Sequence, residues 1–130
     1  MTAVPRWLGD IVRDFAAGLG LNEFGFNSDG AAALRFENGA VLRIEYAMDR
    51  LVMSMSAEST ADAAAAKLLL VAADPLRRDK SASRAGFIGT PPRAVFAVRM
   101  EPAEVTSGNL HAAMTELWRA TESFRRRSGA

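Results

Sequence analysis

"ALRFENGAVLRIEYAMDRLVMSMSAE", residues 33–58, decides the fold. Leu34 and Phe36 alternate with Arg35, and Leu42, Ile44 and Tyr46 alternate with Arg43 and Glu45. Such alternation marks a strand buried on one face only. Asn38-Gly39 between the two runs signals a hairpin, and its register follows from the faces. A two-residue Asn-Gly loop would pair Arg35 with Leu42 and put an arginine on the apolar side. A three-residue loop, Glu37-Asn38-Gly39, pairs Phe36 with Ala40, Leu34 with Leu42 and Ala32 with Ile44, so the apolar side chains share one face. A slip of one residue inverts the faces, which predicts the longer loop with Gly39 in the left-handed bulge position. A four-residue turn over 47–50 keeps the parity into a third strand, 51–57, pairing Tyr46 with Leu51 and Ile44 with Met53. Leu51, Met53 and Met55 extend the apolar face, while Val52, Ser54 and Ser56 fall on the other. The stretch predicts a three-stranded antiparallel meander.

Helical patterns flank the meander. Over residues 5–19, Trp7, Leu8, Ile11, Val12, Phe15 and Leu19 recur with the helical period, and Arg6, Asp10, Arg13 and Asp14 form the wet side. Pro5 suits the first helical turn, and Gly18 and Gly20 mark the end. "ADAAAAKLLLVAAD", residues 61–74, has helix length and composition but only Lys67 as a charge between Asp62 and Asp74. Thr60 is its candidate N-cap and Asp74-Pro75 its stop. A helix apolar all round is buried all round. It lies either inside a monomer or between two subunits, and the residues alone leave both open. Segment 75–92, with Pro75, Pro91, Pro92, Gly86 and Gly89, reads as a loop containing the short strand "AGFIG". "RAVFAVRM", residues 93–100, is a strand with Phe96, Val98 and Met100 on one face. The last helix, about 107–126, carries Leu110, Met114, Leu117, Trp118, Thr121 and Phe124 on its apolar side, with Arg125, Arg126 and Arg127 near its C-terminus. The expected architecture is α+β, one antiparallel sheet in the order α-β-β-β-α-β-β-α, forming a single domain over 1–130.

Bulk properties narrow the function. The 130 residues are 49% hydrophobic and 24% charged, and the net charge of +1 gives no general drive toward nucleic acid or anionic lipid. The absence of cysteine excludes disulfides, thiolate metal sites and cysteine nucleophiles. Charges at Arg6, Asp10, Arg13 and Asp14 interrupt any signal-peptide core, and no apolar run reaches the ~20 residues of a membrane span. A soluble intracellular domain is expected.

Catalytic chemistry is missing. His111 is the single histidine and reads as a surface or capping residue. Asp10 and Asp14 share a wet helix face with arginines, and no cluster has metal-ligand spacing. Gly86-x-x-Gly89 lacks the Lys-Ser/Thr of a phosphate loop. The chain is expected to be no enzyme and to need no cofactor or metal. "RRDKSASR", 77–84, and Arg125–Arg127 each carry +3, yet no stacking aromatic interleaves with them, so nucleic acid is not the expected partner. Met53 and Met55 either line an adaptable peptide groove or pack under a helix.

The ordered set of elements resembles the class I type III secretion chaperones (the Tir-chaperone family), and the likeness covers nearly the whole chain. It rests on helix 5–19 and on "GLNEFGFNSDGAAALRF", 20–36, where a Gly-apolar step ends the helix and Asp29-Gly30 leads into an alternating strand. The Leu68-Leu69-Leu70 helix and the closing helix with Leu117, Trp118 and Phe124 complete it. The sequence pI near 8.3 departs from the acidic balance usual in that family. The resemblance implies a homodimer in the bacterial cytoplasm. It implies that the dimer binds the N-terminal segment of a secreted effector and keeps it extended and secretion-competent, without nucleotide hydrolysis. It points to Leu68, Leu69, Leu70, Val71, Val95 and Ala97 as the dimer interface. Face parity nominates Trp7, Ile11, Leu34, Phe36 and Val52 as effector contacts. The alternative is a nucleic-acid- or ligand-binding α+β module that shares the fold only.

Overall fold

Five antiparallel strands in the spatial order β1-β2-β3-β5-β4 make one sheet: β1 (Ala31–Arg35), β2 (Val41–Ala47), β3 (Arg50–Glu58), β4 (Ser83–Ile88) and β5 (Arg93–Met100). Helices α1 (Arg6–Gly18) and α2 (Ser107–Arg127) pack on one face of it. The computed structural model describes residues 4–21, 24–58, 83–88 and 93–127. The helix expected over 60–74 lies outside them, as does most of the loop expected over 75–92.

The first hairpin has the register that its faces require. Leu34 pairs with Leu42 and Ala32 with Ile44. Phe36 N–H donates to the Ala40 carbonyl at 2.8 Å, and Gly39 closes the three-residue loop with φ +88°. Asn38 Oδ1 accepts from Ala40 N–H at 3.0 Å, holding the turn from within. The Arg93 guanidinium reaches across from β5 and donates to the Gly39 carbonyl at 2.9 Å.

The second hairpin is tighter than the expected four-residue turn. β2 runs through Ala47 and β3 starts at Arg50, so only Met48 and Asp49 connect them. Both have positive φ, 54° and 58°. This is the twist-matched form of a two-residue loop, which ordinarily selects Asn and Gly. The sequence signal was absent because Met48 is neither. Tyr46 hydroxyl donates to Asp49 Oδ1 at 3.2 Å and helps to hold the turn. The expected pairs Tyr46–Leu51 and Ile44–Met53 are both present.

β3 sits between β2 and β5, and its inward residues Leu51, Met53, Met55 and Ala57 are at most 2% exposed. Ala94, Phe96, Val98 and Met100 of β5 join them across the ladder. α2 lies over β3 and β5, and α1 lies against α2. Met53 and Met55 are therefore core residues under the helices and line no groove. Phe96 and Phe124 meet edge-to-face at 6.1 Å, locking β5 to α2. Each fully buried side chain of this size contributes about 1.5–3 kcal/mol.

Two predictions follow from this core. Thr121 is 1% exposed on α2, and its Oγ1 has no hydrogen-bond partner among the described residues. Thr121→Val keeps the shape and removes the stranded hydroxyl, so urea denaturation should show a gain of about 1 kcal/mol with an unchanged slope. Burial, reinforced by the bond to Asp49 and by that carboxylate's charge, holds the Tyr46 phenol above its ordinary pKa of 10.0. A group whose pKa is raised by folding contributes stability that is complete below the unfolded value and is lost as pH rises through the folded one. Stability should therefore fall above about pH 10, and Tyr46→Phe should remove that part of the alkaline slope in a pH series of denaturant midpoints.

Candidate functional site

Beside the β4 edge, two surfaces of the sheet keep unsatisfied potential among the described residues, and they differ in kind. The first is the outer edge of β1. Gly30 accepts from Tyr46 N–H at 2.9 Å and Phe36 donates to Ala40, so alternate residues 30, 32, 34 and 36 bond inward to β2. The backbone groups of residues 31, 33 and 35 point outward. Asn27 engages Ala31 on both sides: its N–H donates to the Ala31 carbonyl at 2.8 Å and its Oδ1 accepts from Ala31 N–H at 3.1 Å. The outward N–H and C=O groups of Ala33 and Arg35 have no partner among the described residues. This is a short open ladder, of the kind that accepts another strand.

Aromatic side chains flank this edge. Phe36 and Trp118 of α2 meet edge-to-face at 5.2 Å. Phe36 and Leu34 are half-buried against the core, and Trp118 is 36% exposed. Asn38 Nδ2 donates to Glu122 Oε1 at 3.3 Å, tying the hairpin tip to the same helix. Trp7 and Ile11 lie one turn apart on α1: Trp7 is 42% exposed, while Ile11 is half-buried against the core.

The second surface is the sheet face turned away from α1 and α2. Ser54 lies between Arg43 and Ala97, Ser56 between Val41 and Val95, and Val52 between Glu45 and Arg99. Val41, Val52, Val95 and Ala97 are half-buried. At one end, Arg93 Nε donates to Ser56 Oγ at 3.1 Å and its terminal nitrogen donates to the Ser56 carbonyl at 3.2 Å. At the other, Arg43 and Glu45 form an exposed ion pair at 2.6 Å.

The residues nominated from sequence thus divide. Leu34 and Phe36 come together at the β1 edge, and Trp7 and Ile11 share α1. Val52 belongs instead to the opposite face, beside Val95 and Ala97. Leu68, Leu69, Leu70 and Val71 lie outside the described residues.

Trp118 is the residue that sequence reasoning misplaced, since it was counted with the core stripe. The buried positions of α2 are Leu110, Ala113, Leu117, Thr121 and Phe124, at helical spacing. Trp118 follows Leu117 directly, so it falls about 100° round the helix, at the flank of the stripe. That adjacency was legible in the sequence. His111 is corrected too: its ring packs on Phe15 of α1 with centroids 4.8 Å apart, a half-buried interhelical contact and no cap. Among the described residues, no three His, Asp or Glu side chains are grouped as metal ligands. No helix there is long and apolar enough to cross a membrane.

Comparison with known proteins places the fold. No family model and no curated protein sequence matches the chain. Solved structures do. A chain of the ExsC–ExsE complex superposes with TM-score 0.80 at 16% identity over 96% of both chains. A chain of the HopA1–SchA chaperone–effector complex gives 0.74 at 19% identity, over 95% of this chain and 99% of that one. The structure of the Yersinia pestis type III secretion chaperone SycH with a fragment of YscM2 gives 0.69 at 18% identity, over 90% and 98%. The fold is that of these structures. YbjN of E. coli, a suggested transcription regulator, shares it less closely, with TM-score 0.57 at 16% identity over 95% and 92%.

The contrast between neighbours on α2 is measurable. Leu117, 1% exposed, should cost about 2–5 kcal/mol when cut to alanine. Trp118→Ala should cost no more than about 2 kcal/mol in the same urea titration, because its ring is partly in water and its aromatic contact is one pair.

Proposed function

We propose that this chain is a type III secretion chaperone that binds the N-terminal segment of a secreted effector and keeps it extended. The observation that carries this reading is the superposition, over nearly the full length of both chains, on a chain of a chaperone–effector complex and on the structure of a type III secretion chaperone with a bound fragment. The local chemistry agrees with it. A nonglobular segment needs main-chain partners and apolar pockets at strand spacing. The β1 edge offers the first through Ala33 and Arg35, and Leu34, Phe36 and Trp118 offer the second. Trp7 and Ile11 on α1 form a further apolar patch for the same segment. A segment held this way is prevented from folding by binding energy alone, so the activity consumes no nucleotide. It is exercised in the bacterial cytoplasm, before export.

The working form is a homodimer. A two-fold interface uses one patch twice. The patch proposed is Leu68, Leu69, Leu70 and Val71 together with Val95 and Ala97, whose half-buried, small side chains allow close approach of a second apolar surface.

Two experiments test these statements separately. Light scattering should give twice the 14.0 kDa chain mass for the wild type and a monomer or aggregate for Leu69→Asp; a wild-type monomer at high concentration removes the dimer. For the binding edge, Ala33→Pro deletes an outward N–H, which an edge strand tolerates. The variant should stay within about 1 kcal/mol of wild-type stability and should lose co-purification with a co-expressed N-terminal effector segment. Retained capture would move the binding site off β1.

A further inference from the structure

We infer that the segment taken up at the β1 edge has an apolar–acidic–apolar core, with the acidic side chain set against Arg35. The inference rests on the binding role proposed above and adds a charge requirement to it.

Arg35 is exposed, and among the described residues it forms no hydrogen bond or ion pair. Its neighbours explain why. Directly across on β2 stands Val41, and two residues back on the same face of β1 stands Ala33. The acidic residue of β2, Glu45, is already held by Arg43 at 2.6 Å. Among the described residues, Arg35 is therefore an unpaired cation on an edge strand whose outer ladder is also unpaired. Its own backbone N–H and C=O are among the open groups.

Strand geometry turns this coincidence into a sequence rule. A residue added opposite Arg35 puts its side chain on Arg35's face of the sheet, and its two neighbours put theirs on the other. The other face there is the one holding Leu34, Phe36 and Trp118. An acidic residue opposite Arg35 completes a cross-strand ion pair while the flanking side chains meet apolar surface. A lysine or arginine in the same place meets like charge.

The occupant is a foreign segment and not a second copy of this edge. β1 reads Ala-Ala-Ala-Leu-Arg and contains no acidic residue, so a twin strand could bring nothing to pair with Arg35. It would bring a second unpaired arginine instead.

The test selects a phage-displayed library of random twelve-residue peptides on the purified full-length chain, and in parallel on Arg35→Glu and Arg35→Gln. Both variants change an exposed side chain that has no partner among the described residues, and circular dichroism checks that they fold. On the wild type, selected peptides should share an apolar–acidic–apolar core, with Asp or Glu enriched about five-fold at the middle position. On Arg35→Glu the middle position should turn to Lys or Arg, and on Arg35→Gln it should lose its charge preference. Alternating apolar peptides whose middle residue is indifferent to charge, or an acidic preference that survives Arg35→Glu, would overturn the inference and leave the chaperone reading intact. Enrichment of sequences like residues 31–36 of this chain would assign the edge to a second copy and overturn it as well. No enriched peptide at all would overturn both.

Discussion

The ladder between β3 and β5 carries the rest of the molecule. These strands are far apart in sequence, yet they pair over eight positions, from Leu51–Met100 to Glu58–Arg93. Their inward residues form the floor on which α2 rests. That floor is almost dry: Met53, Met55 and Ala94 are fully buried, and Phe96 is 1% exposed. If β5 left β3, α2 would lose its platform and α1, which leans on α2, would follow. The hairpins at either side are local devices; this pairing is the long-range contact that makes them one sheet.

Satisfying that face leaves other groups unspent. Among the described residues, α1 and α2 cover one side of the sheet. At the β1 end Asn27 folds back onto Ala31, and among the described residues Ala33 and Arg35 are left open. Edge strands are ordinarily protected by being short or charged. β1 is both, at five residues with an arginine at its end. Such an edge discourages indiscriminate pairing. The partly exposed Phe36–Trp118 pair beside it supplies apolar surface at the same place.

The molecule groups no three His, Asp or Glu side chains as metal ligands among its described residues. Its single histidine is spent on an aromatic contact with Phe15, and its exposed ion pairs, such as Arg119–Glu116 at 3.0 Å, are surface contacts of small energetic weight. A shared fold can host different roles, as the likeness to both chaperone–effector complexes and YbjN illustrates.

Local pattern was enough for the meander. The alternation of Leu34, Phe36, Leu42, Ile44, Tyr46, Leu51, Met53 and Met55 admits one register that keeps arginines out of the core, and that register is the one present. The period of α1 and the core stripe of α2 were legible for the same reason: helix and strand geometry map spacing directly onto faces. The tight turn at Met48-Asp49 was not legible, because Met48 lacks the left-handed preference that Asp49 has and strand twist imposed the conformation from outside. Nor was the division of the nominated residues, with Leu34 and Phe36 at an open edge and Val52 beside Val95 and Ala97 on the opposite face. Spacing tells which residues share a side of one strand. Only the order of strands in the sheet, fixed by the long-range β3–β5 pairing, decides which strand ends at an edge and which side the helices cover.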